Sequence, residues 1–148
     1  WRLVAAETEL SMVNPLVDHS TFAHAVDLYS HFLDPKLPRV SRGKVHKILY
    51  VMRPQFFPIV DSRLATLYRK PARVWAKKLA DVGLSRGYAG PSYWAAIRDD
   101  LLQNATVIGN IRTAINGIDE GIHTETLAHL SDVRILDMLA WSIDSDGC

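Results

Sequence analysis

The sequence predicts an all-α, single-domain orthogonal bundle of six to eight helices. Apolar residues recur at intervals of three and four along most of the chain, as one face of a helix requires. Proline, glycine and short polar residues punctuate that pattern where helices start and stop. No stretch reads convincingly as a strand. The chain has 148 residues, of which 48% are hydrophobic and 22% charged, enough for one domain over residues 1–148 with a core of its own.

The elements follow in order. Arg2 to Val13 reads as a weakly patterned helix with Leu3, Leu10 and Val13 apolar, ended by Asn14-Pro15. Ser20 or Thr21 caps a second helix, in which Phe22, Ala25, Val26, Tyr29, Phe32 and Leu33 form a clear apolar face. Asp34-Pro35 stops it, and Pro38 and Gly43 frame a turn. The helix from Lys44 to about Arg53 buries Val45, Ile48, Leu49 and Met52, with Lys44 and Lys47 on another side. Phe56 to Val60 is an apolar, Pro-bounded loop, after which Asp61 or Ser62 caps a helix through Tyr68.

Pro71 suits the first position of the next helix, with Val74, Trp75, Leu79 and Val82 inward, Arg73 and Lys77 outward, and Gly83 closing it. Tyr88 to Gly90 is a loop. Pro91 or Ser92 opens a helix that buries Trp94, Ile97, Leu101 and Leu102. A break near Asn104 precedes Val107, Ile108, Ile111 and Ile115, and Gly117 terminates that helix. Thr124 caps a short helix holding Leu127 and Leu130. Ser131 caps the last helix, whose Ile135, Leu136, Met138, Leu139, Ala140 and Trp141 are apolar nearly all round. That pattern places it inside the bundle with Leu136 and Trp141 buried. Asp137 in its midst reads as the buried partner of an arginine, because an unpaired buried carboxylate is costly.

Composition excludes several classes. No apolar run approaches the ~18 residues of a membrane span, so no membrane partner is expected. No signal peptide is visible, and a chain beginning at Trp1 is expected to have lost its true start. Its one cysteine, Cys148, is compatible with a reducing cytoplasm and provides no internal disulfide. There is no Gly-rich phosphate loop, and His19, His24, His31, His46, His123 and His129 lack metal-site spacing. Each reads as a surface or hydrogen-bonded histidine, and neither a cofactor nor a metal is expected.

Charge is divided. From Lys36 to Arg86 there are thirteen basic residues against two acidic ones, a net of +11, while the rest of the chain carries −10. Either the two parts attract each other within the fold, or Arg39, Arg42, Lys47, Arg73 and Lys77 contribute to one basic face for a polyanion. Lys44 and Asp61 are the one pair that reads as chemical. A lysine near a helix start is pushed toward its neutral, nucleophilic form, and a carboxylate opening the next helix could face it across the short loop. The alternative is a solvated lysine and an aspartate that only caps.

The segment LPRVSRGKVHKILYVMRPQFFPIVDSRL resembles the core of the helix-hairpin-helix DNA glycosylases, through an element at residues 37–70. Leu37, Pro38 and Val40 stand where that family's hairpin residues would. Gly43, Lys44 and Val45 resemble the hairpin's end, and Pro58, Ile59, Val60 and Asp61 its Pro-Val-Asp element. The resemblance implies a DNA partner, with Lys44 as Schiff-base lysine, Asp61 as catalytic carboxylate and Trp75, Tyr68 or Phe57 stacking on a flipped base. It departs from the family where Arg39 and Ser41 replace hairpin glycines, where an additional residue precedes Lys44, and in a short Lys-to-Asp spacing. The expected function is a DNA-binding protein resembling a base-excision glycosylase, either active or degenerate. The alternative is a non-enzymatic helical module binding an acidic protein.

Overall fold

The computed structural model describes residues 3–33, 40–84, 90–117 and 129–143. Among these residues there are seven α-helices, one 3-10 turn and no strand, so the all-α class stands. The first expected helix is absent. Only Leu10–Met12 forms a 3-10 turn. The segment is tied down from outside instead: Leu10 N–H donates to the Gln55 carbonyl at 3.1 Å, and Arg53 Nε donates to the Val4 carbonyl at 2.8 Å. Tertiary hydrogen bonds thus override a weak helical pattern.

Helix α1 (Thr21–Phe32) starts where expected, with the Ser20 hydroxyl accepting from Ala23 N–H at 3.3 Å. Helix α2 (Arg42–Met52) begins two residues before Lys44 because Ser41 is its cap, accepting from Lys44 N–H at 3.4 Å. Its core face is Val45, His46 and Leu49, whereas Ile48 and Met52 are exposed, contrary to expectation. Phe56, Phe57 and Pro58 plug into the core as an apolar loop. Helix α3 (Ser62–Leu67) is capped by Asp61.

Helix α4 (Arg69–Asp81) runs on from it, so Pro71 is its third residue rather than its first. Trp75 and Leu79 are buried, while Val74 and Val82 are exposed. Gly83 closes the helix at φ +76, letting Leu84 N–H reach back to the Leu79 carbonyl at 2.9 Å. Helix α5 (Gly90–Gln103) packs along α4 and is buried at almost every residue of its first two turns, although Leu102 near its end is exposed. Asn104 ends it, its amide bonded to the carbonyl and carboxylate of Asp100. Helix α6 (Ala105–Asn116) buries Ile108, exposes Val107 and finishes at Gly117.

Helix α7 (Asp132–Ile143) is docked by Ser131, whose hydroxyl accepts from Arg134 N–H and donates to the Pro54 carbonyl at 2.8 Å. It is not an interior helix. Leu136 is buried, but Met138 is exposed and Trp141 is 44% exposed, with the Arg63 guanidinium 4.5 Å from its ring centroid. Asp137 is buried and pairs with Arg134, as expected. Burial nonetheless holds its carboxyl above the usual range, against the pull of Arg134, with Asp61 adding to the rise. The short helix expected after Thr124 lies outside the described residues.

Trp94, fully buried on α5, is the hub of the core. Phe22, Tyr29, His46 and Phe57 surround it edge to face, with centroids 5.1 to 6.1 Å away. One edge of this cluster forms the wall of a cleft.

Candidate functional site: an aromatic cleft beside Asp61

Four segments meet at a cleft of about 430 Å3. Helix α1 contributes Tyr29, and α2 contributes Arg42, Gly43 and His46. The end of the apolar loop and α3 add Val60, Asp61, Ser62 and Ala65, and the start of α5 adds Gly90 and Tyr93. The capping residues explain why these side chains meet. Ser41 and Asp61 each begin a helix beside the cleft, so the first turns of α2 and α3 both border it.

Packing inside the cleft is closest at Gly90. A Cβ there would lie 2.7 Å from Tyr29 Cζ, 2.9 Å from its hydroxyl oxygen and 3.0 Å from His46 Cε1. Only glycine lets the N-terminus of α5 come this near to two rings. Gly43, on the opposite helix, is different: a Cβ there would meet nothing within 4 Å.

The polar groups divide into those already occupied and those open to a ligand. Trp94 Nε1–H donates to His46 Nδ1 at 3.4 Å, and the other ring nitrogen bonds the Pro58 carbonyl. Those partners define the neutral tautomer with its proton on Nε2. Burial, the main cause, together with the Arg42 charge, pulls the His46 pKa down to about 4 against the Pro58 bond. His46 is therefore a neutral wedge at physiological pH. The Tyr93 hydroxyl donates to the Ala65 carbonyl at 3.3 Å. Asp61 Oδ1 accepts from Arg63 N–H at 3.0 Å and Leu64 N–H at 2.9 Å, leaving Oδ2 without a hydrogen bond among the described residues.

Tyr29 is the unusual member. Its side chain is 2% exposed, and its hydroxyl finds no hydrogen-bond partner of good geometry among the described residues. Burial raises its pKa, while Arg42 and the nearby Gly90 N–H act in the opposite direction. Both the Arg42 charge and the start of α5 are thus felt at the phenol oxygen.

The expected site residues separate into two groups. Asp61 and Arg42 line the cleft. Lys44 is exposed on α2 and is not among the lining residues; Gly43 occupies the lining place beside it. Arg42 and His46 stand one turn apart on the lining side of α2, which leaves position 44 on another side of the helix. Lys47 is exposed on α2, and Arg73 and Lys77 are exposed on α4, which packs on α5 and α3. Arg39 lies outside the described residues. The aromatic residues expected to stack on a base are core residues instead. Trp75 Nε1–H donates to Asp99 at 2.8 Å, the Tyr68 hydroxyl bonds Asp100, and Phe57 is sealed against Trp94.

Sequence reading missed Tyr29, His46, Gly90 and Tyr93 as neighbours of Asp61. One signal was available: position 46 falls on the same helical face as Val45 and Leu49, so a histidine there must be buried and satisfied. No such signal exists for Gly90, whose role depends on two rings from distant segments. Among the described residues no group of three or more His, Cys, Asp or Glu is placed to hold a metal, and no helix is long and apolar enough to cross a membrane.

The fold and the cleft together define a small all-helical domain with a charged, tyrosine-walled cleft built on helix starts. Residues 1–144 match the model of a family of unknown function, DUF6308, and the chain belongs to that family. Neither a curated protein nor a solved structure matches the chain.

Proposed function

We propose that the protein binds DNA through basic residues of α2 and α4, and that its cleft receives an unstacked nucleotide beside Asp61. This is the arrangement implied by the resemblance of residues 37–64 to the base-excision glycosylases. The observation that carries the reading is the placement of Asp61. Its carboxylate lines a cleft of about 430 Å3 together with Tyr29, Tyr93 and Arg42. Extruding a base costs a few kcal/mol of stacking and pairing, which a flat-walled pocket helps to offset. A carboxylate there would stabilise positive charge developing on the sugar as the base departs.

The lyase branch through Lys44 lacks such support, because that residue is exposed and Gly43 takes the lining place. Asp61 carries any chemistry in this cleft. The test has two arms. Binding of a short duplex should weaken steeply with salt, with a log–log slope of about −0.9 for each neutralised phosphate. Base release from damaged duplexes should then disappear in Asp61→Asn. Absence of DNA binding at low salt refutes the whole reading, whereas binding without base release leaves a degenerate DNA-binding module.

A second reading is favoured by α2 itself. Its outer side exposes Ile48, Val51 and Met52 near Lys44 and Lys47. An apolar stripe with basic neighbours suits an acidic amphipathic partner better than a phosphate backbone. Binding to DNA that is weak and insensitive to Lys47→Ala would favour this module.

A further inference from the structure

The polar groups of the cleft differ in what can reach them. Its floor is made of buried rings. The Tyr29 oxygen is sealed from solvent against the Gly90 N–H, both nitrogens of His46 are bonded, and the Tyr93 hydroxyl donates to the Ala65 carbonyl. The rim is different. Arg42 is exposed at the first position of α2, and Asp61, only half-buried, opens α3. No ion pair joins Arg42 to Asp61, and among the described residues neither is paired with another charged side chain.

Opposite charges left unpaired across one small cleft make a two-point receptor. We propose that the cleft binds a zwitterion of amino-acid size, with its ammonium group on Asp61 and its carboxylate on Arg42. Asp61 Oδ1 is spent on the N–H groups of Arg63 and Leu64, and Oδ2 remains to accept from an ammonium group. The Arg42 guanidinium presents a planar fork of donors that matches a carboxylate. Gly43 keeps the rim beside it open, since even a Cβ there would meet nothing within 4 Å. Val60, Ala65 and the rings of Tyr29 and Tyr93 suit the ligand's carbon skeleton.

Both charges are needed for the choice of ligand. A phosphate or a dicarboxylate brings surplus negative charge toward Asp61, and a diamine brings surplus positive charge toward Arg42. Only a ligand with one charge of each sign satisfies both ends, so each residue selects against the other's simple partner. Asp61 is one of two acidic residues between Lys36 and Arg86, so the negative end is a local exception in basic surroundings. This inference goes beyond the DNA reading. It uses no nucleic-acid contact and survives the failure of that reading.

The test is a titration of the full chain with glycine, γ-aminobutyrate and L-phenylalanine at constant ionic strength. The amide resonances of Gly43 and Ser62, beside Arg42 and Asp61, report on it. At least one amino acid should give saturable shifts at both residues. For the tightest of them, the counterpart lacking the amine and the counterpart lacking the carboxylate should each bind about tenfold more weakly. That is the loss expected for one hydrogen bond between charged groups. Asp61→Asn and Arg42→Gln should each weaken the amino acid about tenfold as well. Asp61→Asn should also abolish its advantage over the deaminated counterpart, and Arg42→Gln its advantage over the decarboxylated one. Both variants should keep their melting temperature, because an asparagine still caps α3 and Arg42 is exposed. Should either variant misfold, the two counterparts decide the matter on the wild-type chain. No saturable shift with any of the three amino acids overturns the proposal. So does sodium phosphate binding as tightly as the best of them, a counterpart of equal affinity, or an affinity unchanged in either folded variant.

Discussion

A Cβ added to Gly90 would stand 2.7 Å from Cζ of Tyr29, inside the distance any real carbon tolerates. The N-terminus of α5 and the middle of α1 are therefore held together by the absence of a side chain. Gly90→Ala should destabilise the protein by about 1 to 3 kcal/mol, the usual cost of overpacking. Gly43→Ala, with open space around the added carbon, should be neutral or stabilising by about 0.5 kcal/mol. Urea melts of the two variants check the contrast, and equal effects would show that Tyr29 yields freely.

His46 makes stability depend on pH. Its folded-state pKa is about 4 against an ordinary 6.5, so the unfolded chain takes up a proton first as pH falls. Stability from this group is present above pH 6.5 and lost progressively down to about pH 4. The full loss is on the order of 3 kcal/mol, at 1.36 kcal/mol for each pKa unit. Asp137 works in the opposite sense. Its raised pKa means that folding favours the protonated acid, so stability from this group is present below 3.8 and lost as pH rises through the folded value. Subtracting the stability–pH curve of His46→Gln from that of wild type should expose a slope between pH 4 and 6.5. A flat difference would mean the ring titrates freely.

Leu136 and Trp141 test how α7 is seated. Leu136→Ala should cost about 2 to 5 kcal/mol, because the side chain is buried in the core. Trp141→Ala should cost less, about 1 kcal/mol, since the ring is 44% exposed and its main partner is the Arg63 cation. Thermal or urea unfolding decides between this and an interior helix, for which Trp141 would cost as much as Leu136.

The basic residues can be ranked by place. Arg42 lines the cleft, Lys47 is exposed on the same helix, and Arg73 and Lys77 stand on α4. If DNA spans both helices, Lys47→Ala and Lys77→Ala should each flatten the salt dependence by about one phosphate's worth, a slope change near 0.9. If only α2 contacts the backbone, Lys77→Ala should leave the slope unchanged. Fluorescence anisotropy across a salt series distinguishes the two.

Much of the helical layout was legible because local chemistry writes it. Ser20 and Asp61 cap where their side chains can reach a free N–H, and Gly83 takes the positive φ that ends α4. The pairing of Asp137 with an arginine followed from the cost of a bare buried charge. Burial was less legible. Ile48, Met52, Val74, Val82, Leu102 and Trp141 are apolar yet exposed, because a period says which residues share a face but not how wide the covered part is. Positions 2–13 carried a helical pattern too weak to compete with the bonds from Arg53 and to Gln55.

By itself the sequence determined the helical class, most helix boundaries, the charged division of the chain and the aspartate that opens α3. These depend on interactions within a few residues, which spacing records directly. Only the tertiary structure decided that Tyr29, Arg42, Asp61 and Gly90 share a cleft, that His46 is a neutral wedge under Trp94, and that Gly43 rather than Lys44 lines the space. Those relations join segments as far apart as positions 29 and 93. They are set by how helices pack, and a single residue of helix phase is enough to turn a side chain into the cleft or away from it.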